Sequence, residues 1–427
     1  MLALALLLVR AARAWKPLAE SGCPKVYVYD APELWNFRVP LDELHTLGRD
    51  EIFGLPCDRG VPQERRSEQQ AMGAILLWRL ATSARCPRVA DPADADLFLV
   101  PTYPAVPKGS VAAHWQRSCA DAAAQRAAAR PKYLDEANAH RHLFVVSKGH
   151  AVVTRGCDAW WRRPRGLLRR AMRFAVSDAY QRGRRPGHKY GPDDFDDDAA
   201  AESMHPKIDA TEPTGDYPGL VSVPYSSCIH ASTNDTGPPP WGDVPGRHAS
   251  VLAAYVGTPH DGLEGANNGS YARARTRLAR DCESAPDCRV HDPTASRLHA
   301  GFCGTAATHY PATFCFEPGG DSPYRKGFYD AMLAGCIPVV FGRYNARVAP
   351  WFVPPGAVVA LSESRYVAGD FDAVAALRKI PADDVARMQR ALADGAHRLQ
   401  YAVDDVPGDA FETLLTGALD LARRKAP

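Results

Sequence analysis

The chain has 427 residues, a length that suits two hydrophobic cores better than one. Its 51 Lys and Arg against 49 Asp and Glu leave a formal charge of +2, which removes any electrostatic case for nucleic acid as a partner. The hydrophobic fraction of 46% and charged fraction of 23% are those of an ordinary globular protein.

Leu2–Val9 is an apolar run far short of the roughly 20 residues that a bilayer-spanning helix needs. Ala12-Arg13-Ala14 resembles a signal-peptidase site, so residues 1–14 are expected to be a cleaved signal peptide or a truncated membrane anchor. Lys25–Asp30, KVYVYD, alternates polar and apolar residues and reads as the first strand. Ser67–Leu80 carries Met72, Ile75, Leu76 and Leu80 at helical spacing. Asp91–Tyr103 is a capped turn leading into an apolar strand, Leu97–Val100. His114–Arg130 is an alanine-rich helix, and Arg141–Ser147 the next buried strand. Lys148-Gly149-His150 then falls at a strand's carboxyl end, where open α/β sheets bind ligands.

Residues 180–215 turn from basic to acidic among glycines and prolines and read as a surface insertion; the acidic run Asp194–Asp198 within it is a solvated loop. The strand Leu220–Val223 follows, and then His230. Gly237–Gly246, rich in proline and glycine, is the expected boundary between a domain over residues 22–236 and one over 247–427. Arg247–Gly257 opens the second domain with an apolar strand, and Ser270–Arg280 is a helix with Arg273 and Arg277 one turn apart. Beyond residue 342, Ala357–Leu361 is a strand, and Ala382–Leu399 and Asp409–Arg424 are helices with apolar stripes.

None of the eleven cysteines shows the CxxC spacing of a zinc site. Cys282 and Cys288, with Cys303 and Cys315, look like loop staples, and the odd count leaves a free thiol, for which Cys336 in an apolar strand is the candidate. Asn234 and Asn268 head glycosylation sequons in turn-rich stretches. With the leader, these features favour a secretory lumen and disulfides.

Thr313–Gly342, TFCFEPGGDSPYRKGFYDAMLAGCIPVVFG, organises the rest. A strand over Thr313–Phe316 meets Glu317-Pro318-Gly319-Gly320; Asp321 and Ser322 are N-cap residues, and Pro323 suits the first helical position. A helix to about Leu333 and a second apolar run, Cys336–Phe341, complete a βαβ unit. Arg325 and Lys326 fall in the helix's first turn, where its dipole disfavours cations by roughly 0.3–1 kcal/mol each. Free amides, a glycine loop and two cations together describe an anion site, most simply for a pyrophosphate. The alternative is that both side chains reach into water, with Lys326 paired weakly to Asp330. If the pair binds an anion, replacing both by alanine removes nucleotide affinity with little change in melting temperature.

The run FCFEPGGDSPYRKGFYDAMLAGCIPVVF resembles the C-terminal signature of the exostosin family, glycosyltransferase family 47, and in particular its plant-type wall-polysaccharide branch. DPADADLFLVPTY, the VPY before His230 and RHASVLAAYVG resemble further segments of that family. The resemblance implies an α/β fold of the GT-B type, two Rossmann-like doubly wound domains facing a cleft, with the C-terminal helices packing back across the first. It implies a Golgi enzyme that moves a sugar, with inversion, from a nucleoside diphosphate (UDP) to a polysaccharide or glycoprotein glycan.

Under that reading the backbone at Gly319, Gly320 and Asp321, with Ser322, Arg325 and Lys326, stabilises the leaving diphosphate, so no metal or other cofactor is required. Asp330 takes the ribose hydroxyls or is a plain helix ion pair. Glu317 contacts the sugar or caps the turn. Arg273 and Arg277 bind the donor, as an arginine the family carries there suggests, or form a solvated basic face. His150 is the first candidate for the general base and His230 the second, although Ala151 follows His150 where the family often has an acidic residue. That departure keeps open a catalytically silent partner subunit, in a homo- or heterodimer with another glycosyltransferase.

Overall fold

The structure is a computed structural model, and it describes residues 22–30, 40–57, 61, 63–67, 71–102, 127–128, 130–149, 166–177, 220–244, 249–257, 270–292, 305–319, 325–341, 352–354 and 356–426. The 180–215 insertion, and all but the last few residues of the helix expected over His114–Arg130, lie outside these.

Among the described residues, two all-parallel sheets carry the fold. The first contains β1 (Val26–Val28), β2 (Arg88–Val89), β3 (Leu97–Val100), β4 (His142–Gly149), β5 (Met172–Ser177) and β6 (Leu220–Ser222), in the order β2-β1-β3-β4-β5-β6. The second contains β7 (Val251–Val256), β8 (Cys288–His291), β9 (Ala312–Glu317), β10 (Ile337–Phe341) and β11 (Val359–Leu361), in the order β11-β10-β9-β7-β8. Parallel sheets are covered on both faces, which is why Leu97–Val100 and Ile337–Phe341 are apolar without alternation and buried throughout. Each order reverses once, between β1 and β3 and between β7 and β9, as in doubly wound α/β folds. The chain is therefore α/β, with the two Rossmann-like sheets of the GT-B arrangement.

Several boundaries move. The helix expected from Ser67 begins at Met72 and runs to Thr82. Ser67 is buried instead, its hydroxyl 2.5 Å from the Phe53 carbonyl oxygen. Within the expected linker Trp241 and Val244 are buried, while Gly237, Pro238, Gly242 and Asp243 are exposed.

The C-terminal helix Ala410–Lys425 starts at Asp409, whose carboxylate accepts from the Glu412 amide at 2.9 Å. Arg79, on the helix Met72–Thr82, reaches it. Its guanidinium donates to Asp409 Oδ2 at 2.8 Å, to the Ala402 carbonyl at 2.8 Å and to Asp405 Oδ1 at 3.0 Å. It also sits 4.6 Å from the centre of the Phe411 ring.

Disulfides join Cys23 to Cys86, Cys282 to Cys288 and Cys315 to Cys336. The expectation of a free Cys336 is thus corrected. β9 and β10 are neighbours, Cys315 lies opposite Pro338, and Cys336 precedes β10 with its Cα 5.8 Å from that of Cys315. Among the described residues the free thiol is Cys228, which is buried.

Candidate donor site at the ends of β7 and β9

Ligands in doubly wound sheets collect beyond the carboxyl ends of the strands where the order reverses. In the second sheet these ends are Val256-Gly257 and Glu317-Pro318-Gly319. Glu317 closes β9 and is 1% exposed. Its carboxyl group lies under the start of the helix Lys326–Leu333, where a Cβ at residue 327 would meet it at 2.4 Å and push it aside. His309 Nε2 is 3.6 Å from Glu317 Oε1, with both side chains buried.

Burial pushes Glu317 up to about 8, against the opposing pull of Arg325, Lys326 and Arg275, and pushes His309 down to about 4. Burial thus shifts both groups toward their uncharged forms. Arg275 is 8% exposed and donates from Nε to the Tyr255 hydroxyl at 3.3 Å, at the end of β7. Arg325 is half-buried and donates to the Pro318 carbonyl at 3.3 Å. Two guanidinium groups therefore converge on the end of β9.

The helix begins later than the cap motif suggests. Arg325 is its N-cap, in an extended conformation with φ of −126°, and Lys326 is its first residue. Gly319 follows β9 as expected, while Gly320, Asp321 and Ser322 lie outside the described residues, as do His150 and Asn268.

Lys326 does not reach into water. It is 6% exposed, and its Nζ lies 2.6 Å from Asp330 Oδ2. Asp330 Oδ1 accepts from Ser227 Oγ at 2.6 Å and from the Cys228 amide at 3.1 Å. Burial alone would raise Asp330, but the ammonium and these donors outweigh it and hold the carboxyl below the usual carboxylate range. With both oxygens engaged, Asp330 is an ion-pair partner, and of its two expected roles the ribose contact is the one the geometry does not support.

His230 is corrected as a candidate base. It is 2% exposed, its Nδ1 is 2.5 Å from the Tyr401 carbonyl oxygen, and its Nε2 is 2.6 Å from Ser67 Oγ. Both ring nitrogens are used in holding three segments together, and burial pushes the ring down to about 4. Arg277 is corrected as well: it pairs with Asp281 at 3.4 Å, stacks 4.5 Å from the Tyr366 ring centre and donates to the Phe371 carbonyl at 3.2 Å. Its place is in packing against the helix Glu363–Ala368. Arg273 is exposed, a solvated basic residue. Asn234 is exposed in a turn, where a sequon is accessible.

Three buried residues escaped sequence reasoning. Arg275 had a signal: it precedes Leu278 and Ala279 by three and four residues, which puts it on the helix's buried stripe. His309 and Glu64 had none. Glu64 is fully buried and accepts from the Ala306 amide at 3.1 Å, a contact between residues 242 apart in the chain. Among the described residues no cluster of three or more His, Cys, Asp or Glu is placed to hold a metal ion, and no helix is long and apolar enough to cross a membrane.

The exostosin GT47 domain family matches residues 21–357 of this chain. A xyloglucan galactosyltransferase of Arabidopsis thaliana, XLT2, is 30% identical over 206 residues, which are 47% of this chain and 38% of that protein. The xyloglucan-specific galacturonosyltransferase 1 of the same plant is 29% identical over 141 residues, 31% of this chain and 19% of that protein. The chain thus matches well under half the length of these curated relatives. Among solved structures, the spinosyn rhamnosyltransferase SpnG with spinosyn aglycone overlays 80% of this chain and 96% of its own at 15% identity. Its TM-score of 0.33 is too low to carry an argument. The family match over most of the chain is decisive, and the chain belongs to the exostosin GT47 family.

Proposed function

We propose that this chain is a glycosyltransferase that takes a sugar from a nucleoside diphosphate, UDP by preference, and passes it with inversion to a plant-wall polysaccharide of the xyloglucan class. The observation that carries the reading is the convergence of Arg275 and Arg325 on the buried end of β9, where the strand order reverses. A departing diphosphate develops negative charge as the glycosidic bond breaks, and fixed guanidinium groups stabilise it without reorganising. The acceptor class follows the names of the relatives, xyloglucan galactosyl- and galacturonosyltransferases. Galactose and galacturonic acid are accordingly the first donors to test. A Golgi setting accords with the wall-polysaccharide assignment and with the disulfides.

With His230 committed to structure, His150 is the proposed base that deprotonates the attacking hydroxyl. The burial of His230 also supports a second reading, a subunit that binds donor without turning it over. Incubating the secreted protein with a panel of UDP-sugars and xyloglucan oligosaccharides, and measuring released UDP, separates the two. Acceptor-dependent release with one donor supports the enzyme; donor binding without release supports the silent subunit, and no binding of any nucleotide sugar defeats both.

A further inference from the structure

The helix Thr305–His309 has five residues, far fewer than the roughly 12–15 that hold a helix together in water, so its position is set by what it packs against. One such contact comes from 242 residues away. Glu64, fully buried, accepts from the Ala306 amide at 3.1 Å and so takes one of the free N–H groups of the first turn. Glu64 is itself held in place. Its amide donates to the Val61 carbonyl at 3.0 Å, and its carbonyl accepts from the Cys57 amide at 2.8 Å. On either side of it, the Arg65 amide donates to the Cys228 carbonyl at 2.7 Å, and the Gln63 carbonyl accepts from the His230 amide at 3.1 Å. Residues 63–65 and 228–230 therefore form a short antiparallel ribbon, with Glu64 opposite Ile229. The other edge of this ribbon holds a second helix, Lys326–Leu333, because Ser227 Oγ and the Cys228 amide both donate to Asp330 Oδ1. Cys228 Sγ lies between the two attachments, 3.9 Å from Glu64 Oε1 and 3.6 Å from Asp330 Oδ1.

The two helices that the ribbon holds flank the end of β9. The first ends in His309, whose Nε2 is 3.6 Å from Glu317 Oε1. The second is capped by Arg325, which donates to the Pro318 carbonyl at 3.3 Å, and the Glu317 carboxyl group lies against Gly327 in its first turn. A continuous series of contacts thus runs from Glu64 to Arg325. We infer that Glu64 is a positioning residue for the donor site: it fixes the helix Thr305–His309 and, through His309 and Glu317, the strand end and helix start on which Arg325 stands. This inference rests on the donor-site reading above. Coupling of this kind is reciprocal, so if the Glu64 contact favours the arrangement that binds UDP, bound UDP strengthens the contact by the same factor.

The probe is UDP, in two measurements on the full chain. In the first, calorimetry compares wild type with Glu64→Ala and Glu64→Gln well below their melting temperatures. Alanine takes the acceptor away from Ala306, and UDP affinity is expected to fall about fivefold or more. Glutamine keeps an acceptor oxygen there and restores most of the affinity. Arg79→Ala, which loses stability at a junction outside the donor site, binds UDP as wild type does, so a weakened fold alone does not mimic the effect. Wild-type affinity in Glu64→Ala overturns the inference, and so does a Gln variant no better than Ala, or equal weakening in Arg79→Ala.

The second measurement needs no variant and decides the matter even if Glu64→Ala does not fold. Hydrogen exchange at the Ala306 amide of wild type is followed by NMR with and without saturating UDP. The reference is the Ala84 amide, which Asp405 caps at 2.8 Å beside Arg79. UDP is expected to slow exchange at Ala306 about fivefold or more beyond any slowing at Ala84. Equal slowing at the two amides, or none at Ala306, overturns the inference. If wild type binds no UDP, the donor-site reading has failed and the positioning role falls with it. If UDP binds and Ala306 is unaffected, the positioning role alone has failed.

Discussion

The Lys326 ammonium lies 2.6 Å from Asp330 Oδ2, both groups are buried, and the other Asp330 oxygen holds Ser227 and the Cys228 amide. This ion pair joins the helix Lys326–Leu333 to the segment that follows β6 in the first sheet. Its charges are spent on each other and on that junction.

Removing one member of a buried, hydrogen-bonded pair strands the other's charge, a loss of about 3–5 kcal/mol. Lys326→Ala and Asp330→Asn are therefore expected to lower the urea midpoint sharply, the first by leaving a carboxylate unpaired and the second by leaving an ammonium. A midpoint within error of wild type for Lys326→Ala would contradict the buried pair. The expectation that Arg325 and Lys326 can be replaced together without thermal cost is withdrawn on the same ground.

Arg79 makes a second long-range junction, with a side chain 3% exposed between Asp405 and the fully buried Asp409. Arg79→Ala should cost up to about 3–5 kcal/mol, because Asp409, which burial pushes up to about 6 even beside Arg79, loses its partner and must either take up a proton or stay as a buried charge. Arg79→Met combined with Asp409→Asn, which removes the charge from both sides, should cost distinctly less. Equal losses in the two variants, read from urea curves, would show that the charge pair is not what matters there.

Acid should destabilise the protein in a particular window. Burial pushes His142, His230 and His309 down to about 4 from an ordinary 6.5. A depressed folded-state value means that the unfolded chain takes up the proton first, so stability is complete above about 6.5 and falls as pH drops toward 4. Each histidine contributes up to about 1.4 kcal/mol per pH unit across that window. Glu317 acts in the opposite sense from about 4.5 upward, so the difference between wild type and a single-histidine variant is the quantity to read. His142→Gln, far from the donor site and removing the 2.7 Å contact with the Tyr29 hydroxyl, should flatten the slope by one histidine's share. An unchanged slope would mean that His142 is already protonated in the fold.

What the sequence made legible was local. The strand Leu97–Val100 is legible as an apolar run between turn residues, and β9, its glycine break and β10 as a βαβ unit, because those signals lie within about a dozen residues of one another. The charged residues were harder for a physical reason. Lys326 has a partner within its own helix, visible as an i,i+4 pair, but its burial depends on Ser227 and Cys228, a hundred residues away. His230 reads as a lone histidine until Ser67 and Tyr401 close on its two nitrogens from distances of 163 and 171 residues. Cys336 reads as a buried apolar thiol because strand order, which puts Cys315 beside it, is not written in either cysteine's neighbourhood.

The central claim is that guanidinium groups at the ends of β7 and β9 receive a diphosphate, and UDP binding to Arg325→Ala and Arg275→Ala tests it most directly. Arg325 is half-buried at a helix cap, so its variant should melt close to wild type, while Arg275→Ala should lose some stability through the Tyr255 contact. Calorimetry at pH 7 is predicted to show at least a tenfold loss of UDP affinity in each variant, a change of about 1.4 kcal/mol or more. Wild-type affinity in a folded Arg325→Ala protein would contradict the account.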